Sequence, residues 1–306
     1  MKKNFYLITG STGFIGTRLL DYLVSIDSNI RLLARQNNPN IETIICDFEK
    51  DIIPKSALES VHTIIHLAGI AHDFRNQSQI EKLYNSVNID ATIKLAKLAA
   101  KNGVSRFLFI SSVKAGGTPS SGKCGSEKTQ SFPSDFYGKT KREAESKLIH
   151  IGRRSELHIS IIRPALVYGP EVKGNLKLMM SGVKKGWFPP LPLVENKKSM
   201  IHVDDLVEAI YLVANSRHNT GEVFIATDGI TYSSREIYEC MCIISKKPIP
   251  KWAVPKAIFN LLSFISPSIK YKVDKLLGDE CYSSNKLESL GFKSKKTLKD
   301  MNEASF

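Results

Sequence analysis

Phe5-Tyr6-Leu7-Ile8-Thr9-Gly10-Ser11-Thr12-Gly13-Phe14-Ile15-Gly16 is the stretch that decides the fold. Phe5–Thr9 is a short apolar run that reads as a buried strand, and helical apolar spacing begins at Ile15 and continues to Ile26. Between them lie three glycines spaced G-x-x-G-x-x-G. Glycines at such a junction permit a tight turn, close approach of the backbone to a pyrophosphate and close packing of helix on sheet. The helix N-terminus adds free N–H groups and the positive end of its dipole. A glycine triplet alone describes any Gly-rich turn. With a strand before and a helix after, it points to dinucleotide binding.

Outward from this turn the same alternation repeats. Ile30–Ala34, Thr43–Cys46, Thr63–Leu67, Phe107–Ser111 and His158–Ile162 read as buried strands, and Ile80–Ala100 and Tyr137–Ile151 carry helical spacing. Strands alternating with helices of this length predict βαβ units, hence an α/β chain with a doubly wound parallel sheet, the Rossmann arrangement. The expected division is a dinucleotide-binding domain over 1–169, with returning segments near 201–227, and a smaller α/β substrate domain over 170–306. Val223–Ala226 reads as a strand rejoining the sheet, and Ser233-Ser234-Arg235-Glu236 as a capping box. Pro255 and Pro267 bracket the apolar stretch Ile258–Ile265, with Lys256, Lys270 and Lys272 around it. Such a segment fits a core or subunit-packing helix; the less common alternative is a helix lying on a membrane surface.

Composition narrows the function. With 306 residues, 42% apolar and 24% charged, the chain has ample material for a core and is not intrinsically disordered. No stretch approaches a membrane span. Lys2 and Lys3 precede too short an apolar run for a secretory leader, so the expected address is cytoplasmic. The net charge of +13 suits an anionic partner, but the lysines are dispersed without interleaved aromatics, which disfavours nucleic acid. Five cysteines, Cys46, Cys124, Cys240, Cys242 and Cys281, form an odd set and are expected as reduced thiols. Neither they nor the seven histidines have metal-ligand spacing, and no metal is expected.

Tyr137-Gly138-Lys139-Thr140-Lys141 carries the chemistry. Tyr137 and Lys141, at i and i+4, share a helix face. A free tyrosine has a pKa near 10, and a neighbouring ammonium is expected to ease its proton transfer near neutrality. Tyr137 is thus the expected general acid/base, with Lys141 as its tuner and as a ligand of the nicotinamide ribose. At the end of the fifth strand stands Ile110-Ser111-Ser112-Val113. Cofactor preference hangs on Arg35: no Asp or Glu occurs between Ile30 and Ile41, and an arginine there accommodates a 2′-phosphate, which tips the expectation to NADP over NAD. A plain surface arginine is the alternative.

The glycine spacing, the Tyr–Lys pair and their order resemble the extended short-chain dehydrogenase/reductase superfamily, the NAD-dependent epimerase/dehydratases, over nearly the whole chain. The resemblance implies cofactor contacts at Gly10, Thr12, Gly13, Phe14, Ile15 and Gly16, at Asp47-Phe48, at Leu67-Ala68-Gly69, at Asn88, and at Ser111, Tyr137, Lys141, Pro164 and Val167. It implies a serine that orients the substrate oxygen. Many members place that hydroxyl at the third position of the trio, here Val113; the choice stays open between Ser111 and Ser112, with Ser112 favoured and a structural cap expected for the other. Gly174-Asn175 resembles the segment that meets a sugar diphosphate, and Lys198 the basic residue facing its phosphate, although Lys197 could serve instead. His202 is expected to be structural.

Among members, the pattern most resembles reductases of UDP-4-keto-6-deoxy-N-acetylhexosamines in surface-polysaccharide synthesis. UDP-glucose 4-epimerase-like proteins are the alternative, and a non-enzymatic NAD(P)-binding sensor a minor one. The implied partner is a nucleotide-diphosphate sugar, with a homodimer allowed. Loops near 72–85, 114–135 and 171–198 would shape the pocket.

Overall fold

In the computed structural model, residues 4–71, 77–120 and 122–302 are described. Lys2, Lys3 and the first part of the loop at 72–85 lie outside them. Ten strands run through the described residues: β1 (Phe5–Thr9), β2 (Asn29–Ala34), β3 (Thr43–Ile45), β4 (Thr63–His66), β5 (Arg106–Ile110), β6 (His158–Pro164), β7 (Leu166–Tyr168), β8 (Lys198–His202), β9 (Glu222–Ala226) and β10 (Thr231–Tyr232). The helices are α1 (Phe14–Ser25), α2 (Gln77–Tyr84), α3 (Thr92–Lys101), α4 (Phe136–Gly152), α5 (Gly174–Lys185), α6 (Val203–Asn215), α7 (Ser234–Ile244), α8 (Lys256–Ser263), α9 (Pro267–Leu277) and α10 (Asn285–Glu288).

Seven strands form one parallel sheet in the order β3-β2-β1-β4-β5-β6-β9. The strands are apolar on both faces because both faces are covered. Leu7, Phe107 and Phe109 enter a core closed by α3 and α4, while their neighbours Ile8, Leu108 and Ile110 enter a core closed by α1 and α6. The order reverses direction between β1 and β4, which opens the crevice beyond their C-terminal ends where ligands of such sheets bind.

A second sheet, β10-β8-β7, belongs to the other half of the molecule. Its core gathers Tyr168, Met179, Leu191, Tyr232, Met241 and Phe259, and Phe14 of the Gly-rich turn packs against it. The Gly-rich turn thus touches the second core directly. The capping box at Ser233 and Glu236 is formed at the start of α7.

One expectation is refined and one corrected. The expected helix over Ile80–Ala100 is formed and runs without a break from α2 into α3, but its middle, Asn85–Ala91, is π-helical. A π turn inserts one residue per turn, which a reading of 3.6-residue spacing averages away. The five cysteines are not all reduced: Cys124 and Cys281, 157 positions apart, form a disulfide, and Cys46, Cys240 and Cys242 are free. The backbone brings the pair together, since Gly125 N–H donates to the Cys281 carbonyl (2.8 Å) and Ser283 N–H to that of Gly125 (2.9 Å). No helix of the described residues is long and apolar enough to cross a membrane.

Candidate active site

Gly10 ends β1 with φ +72°, a left-handed conformation that glycine adopts without strain. A Cβ there would lie 2.6 Å from the Ala68 amide nitrogen, and one at Gly16 would lie 2.1 Å from the Gly10 carbonyl oxygen. The first and third glycines are therefore required by backbone approach. The second, Gly13, is the N-cap residue of α1. The cradle next to the α1 N-terminus is the shape a pyrophosphate needs, so these residues fit a bound dinucleotide.

His66 braces the floor of this turn. Its Nδ1 bonds the Thr9 hydroxyl (2.7 Å) and its Nε2 that of Thr92 (2.8 Å), while Ala68 N–H donates to Thr9 Oγ1 (3.2 Å). Burial, with Lys141 adding to it, pushes the imidazole down to about 3, so it is neutral. This residue was missed in the sequence; a lone histidine at a strand end carries no signal until Thr9 and Thr92 are seen on its two nitrogens.

The loops beyond β4 and β5 converge with α4. Asn88, held in the π turn, accepts from Ile70 N–H (2.8 Å) and donates to the Ile70 carbonyl (3.0 Å). A Cβ built at Gly69 would lie 3.1 Å from Asn88 Oδ1 and 3.4 Å from Lys141 Nζ. Gly69, Asn88 and Lys141 thus meet at one point. Lys141 Nζ donates to the Ile110 carbonyl (2.9 Å) and rests 4.4 Å from the centre of the Phe109 ring.

Asp135 starts α4: its Oδ1 accepts from Gly138 N–H (2.7 Å), and its Oδ2 pairs with Lys114 Nζ (2.6 Å). The Ser134-Asp135 pair just before a helical run was the available signal for this cap. The Tyr84 ring meets the edge of Tyr137 at 6.3 Å.

Electrostatics departs from expectation at the Tyr–Lys pair. Lys141 Nζ is 6.0 Å from the centre of the Tyr137 ring, and burial, followed by Tyr84 and Asp135, pushes the Tyr137 hydroxyl well up. Burial lowers Lys141 to about 8, opposed by Glu145. Desolvation therefore dominates at the phenol, which keeps its proton. Glu145, one turn beyond Lys141, is itself gripped by buried Arg163 through two parallel bonds. This pair was also missed, because Arg163 reaches α4 from β6.

Of the two serines, Ser112 accepts from Lys114 N–H (3.3 Å), while buried Ser111 Oγ has no hydrogen-bond partner. The cap expected on the serine not chosen for catalysis is thus made by Ser112 itself. Pro164 closes β6 and Val167 lies in β7; Asp47 and half-buried Phe48 follow β3, with the Phe48 ring 5.8 Å from His66. Arg35 is exposed just after β2, and Asn175 is exposed in the first turn of α5. Lys198 is buried, and its ammonium is taken by the Lys275 carbonyl (2.8 Å) and the Glu280 carboxylate (3.0 Å). His202 is buried and caps α6 by accepting from Asp204 N–H (3.1 Å).

Comparison with known proteins supplies the family. A UDP-glucose 4-epimerase of Vibrio cholerae is 33% identical over 96% of this chain and 92% of its own length. An N-acetyl-alpha-D-glucosaminyl-diphospho-ditrans,octacis-undecaprenol 4-epimerase of Escherichia coli O157:H7 is 28% identical over 95% of this chain and 91% of its own. The solved structure of MoeE5 in complex with UDP-glucose and NAD shares the fold, with a TM-score of 0.78 at 22% identity, covering 97% of this chain and 95% of that one. The sequence profile of the NAD dependent epimerase/dehydratase family matches residues 6–226. That range takes in the glycine cradle and the Tyr–Lys helix, and the chain belongs to the NAD dependent epimerase/dehydratase family and is an NAD-dependent enzyme.

Proposed function

We propose that the enzyme performs hydride chemistry at C4 of a diphosphate-linked sugar, as a 4-epimerase of a UDP-hexose or UDP-N-acetylhexosamine. The observation that carries this reading is the convergence of Gly69, Asn88 and Lys141 beside Tyr137. It is supported by two relatives whose names share a 4-epimerase acting on a sugar diphosphate.

The glycine cradle, Asn88 and Lys141 would hold the dinucleotide, which would supply reversible hydride transfer at C4. Tyr137 gives a proton to the C4 oxygen in the reducing direction and takes it back in the oxidising one, which is worth about 10²–10⁴ in rate. Lys141 holds the ribose and stabilises negative charge on the phenol. Ser112, whose hydroxyl hydrogen is left free by accepting from Lys114 N–H, orients the sugar oxygen; Ser111 is the alternative. Asn175 and Lys198 meet the diphosphate, which must displace Glu280 from Lys198.

A second reading, reduction of a UDP-4-keto-6-deoxy-N-acetylhexosamine, is favoured by the raised pKa of Tyr137, which suits a proton donor. Exposed Arg35, free of any hydrogen bond or ion pair among the described residues, would then select NADPH by its 2′-phosphate. One purified sample separates the two. An epimerase retains its dinucleotide, visible in the absorbance spectrum, and converts UDP-glucose or UDP-N-acetylglucosamine to the C4 epimer without added cofactor. A reductase is purified without it and consumes NADPH with the 4-keto sugar. Failure of both assays overturns the C4 proposal.

A further inference from the structure

Helix α8 turns its apolar side to water, while α9 beside it packs Val273 and Ile269 into the core of the second sheet. In α8 and the turn beyond it, Ile258, Leu261, Leu262 and Ile265 follow the i, i+3, i+4, i+7 spacing of a stripe that helices normally bury. Here they are 47%, 70%, 40% and 65% exposed, and Phe264 at the tip is 85% exposed. Within α8 only Phe259 reaches the core. Of the core or subunit-packing expectation for this segment, the core role is met by Phe259 alone: the helix exists, but the stripe points outward. Trp252, on the approach, is 63% exposed. Single exposed apolar residues are ordinary, whereas a contiguous group of them marks an interaction face.

Charge says what kind of partner fits. Between 246 and 277 the chain carries seven lysines and one acid, Asp274. Lys246, Lys247, Lys251, Lys256, Lys270 and Lys272, before, within and after α8, are all exposed. A second copy seated on this face would bring two lysine fringes together, and like charges across an interface oppose it. A bilayer containing anionic lipid satisfies both halves. Apolar side chains enter the acyl boundary, tryptophan favours the headgroup level and lysines meet phosphates.

The geometry points to an anionic phospholipid bilayer as the occupant of the α8 face and its lysine fringe, with the enzyme docking peripherally. The face is bonded to the active site. Tyr271 of α9 donates to Asp135 Oδ2 (3.3 Å), the residue that caps the Tyr137 helix, and the Lys275 carbonyl accepts from Lys198. Docking would hold the start of the catalytic helix close to the membrane plane. The inference goes beyond the C4 reading and does not depend on it.

The test is co-sedimentation of the full chain with vesicles of phosphatidylcholine alone or mixed with phosphatidylglycerol. Binding is expected only to the anionic vesicles, and salt should weaken it. Lys251→Gln/Lys256→Gln should weaken binding about 30-fold, since each lysine near an anionic surface contributes roughly a fivefold factor. Leu261→Ser/Phe264→Ser should weaken it at least about tenfold. All four positions are exposed, and circular dichroism of each variant verifies the fold. Three results overturn the inference: no sedimentation with anionic vesicles at low salt, equal binding by wild type and both variants, or a wild-type dimer by light scattering that Leu261→Ser/Phe264→Ser converts to monomer.

Discussion

Lys141 sits where burial and Glu145 pull its ammonium in opposite directions, and burial leaves it at about 8. Its charge is present below that value and lost as pH rises through it. Catalysis that uses the ammonium should therefore show an alkaline limb near pH 8 in kcat/KM. Glu145→Gln removes the influence that raises Lys141, so the limb should move to lower pH; an unmoved limb would assign it to another group. Tyr137→Phe should keep the fold and dinucleotide binding while turnover falls about 10²–10⁴-fold, and near wild-type turnover would remove Tyr137 from the reaction. These two residues were legible because i and i+4 on a helix is a local relation. Glu145 and His66 were not, since their roles arise from Arg163, Thr9 and Thr92, which arrive from other strands and helices. The same limit applied to the direction of the Tyr137 shift: spacing reveals a neighbouring charge but not how much water both groups have lost.

Among the elements, those with a strong local pattern were legible and those held by a distant partner were not. β1 and α4 follow from apolar runs and helical spacing, whereas β7 and β10, three and two residues long, exist because β8 lies between them. The segment around α8 was readable as amphipathic, but which side faces the protein depends on the core beneath Phe259. The disulfide is the clearest case, since no local pattern connects Cys124 with Cys281. It fastens the loop after β5 to the segment before α10 and closes a span of 157 residues. Thiol titration of the denatured, unreduced protein should find three free thiols, Cys46, Cys240 and Cys242. Five would show that the bridge does not form. Reduction should lower stability by about 2–4 kcal/mol, read as a fall in the denaturant midpoint.

At the scale of the whole molecule, the join between the large sheet and the second unit runs through Asp228, just beyond β9. Its carboxylate accepts from Tyr232 OH (2.8 Å) and Ile230 N–H (3.0 Å), with Tyr168 OH at 3.5 Å. Tyr232 OH in turn accepts from Leu298 N–H (3.1 Å), which draws the C-terminal segment onto the same point. Burial pushes Asp228 up from 3.8 to about 6, with the hydrogen bonds opposing and Asp205 adding to the rise. A carboxyl whose folded pKa is raised binds its proton more tightly when folded. Its contribution to stability is full below pH 3.8 and lost as pH rises through about 6. Two units correspond to about 2–3 kcal/mol. Asp135 and Asp204, both held low by their lysine and arginine partners once burial is overcome, act with the opposite sign, losing stability as pH falls. Asp228→Asn separates the two, because those groups are common to both proteins. Denaturant unfolding of each, from about pH 4 to about pH 7, should show wild type losing about 2–3 kcal/mol relative to the variant as pH rises. A constant difference across that range would mean that Asp228 is ionised at the join throughout, and that its three hydrogen bonds outweigh its burial.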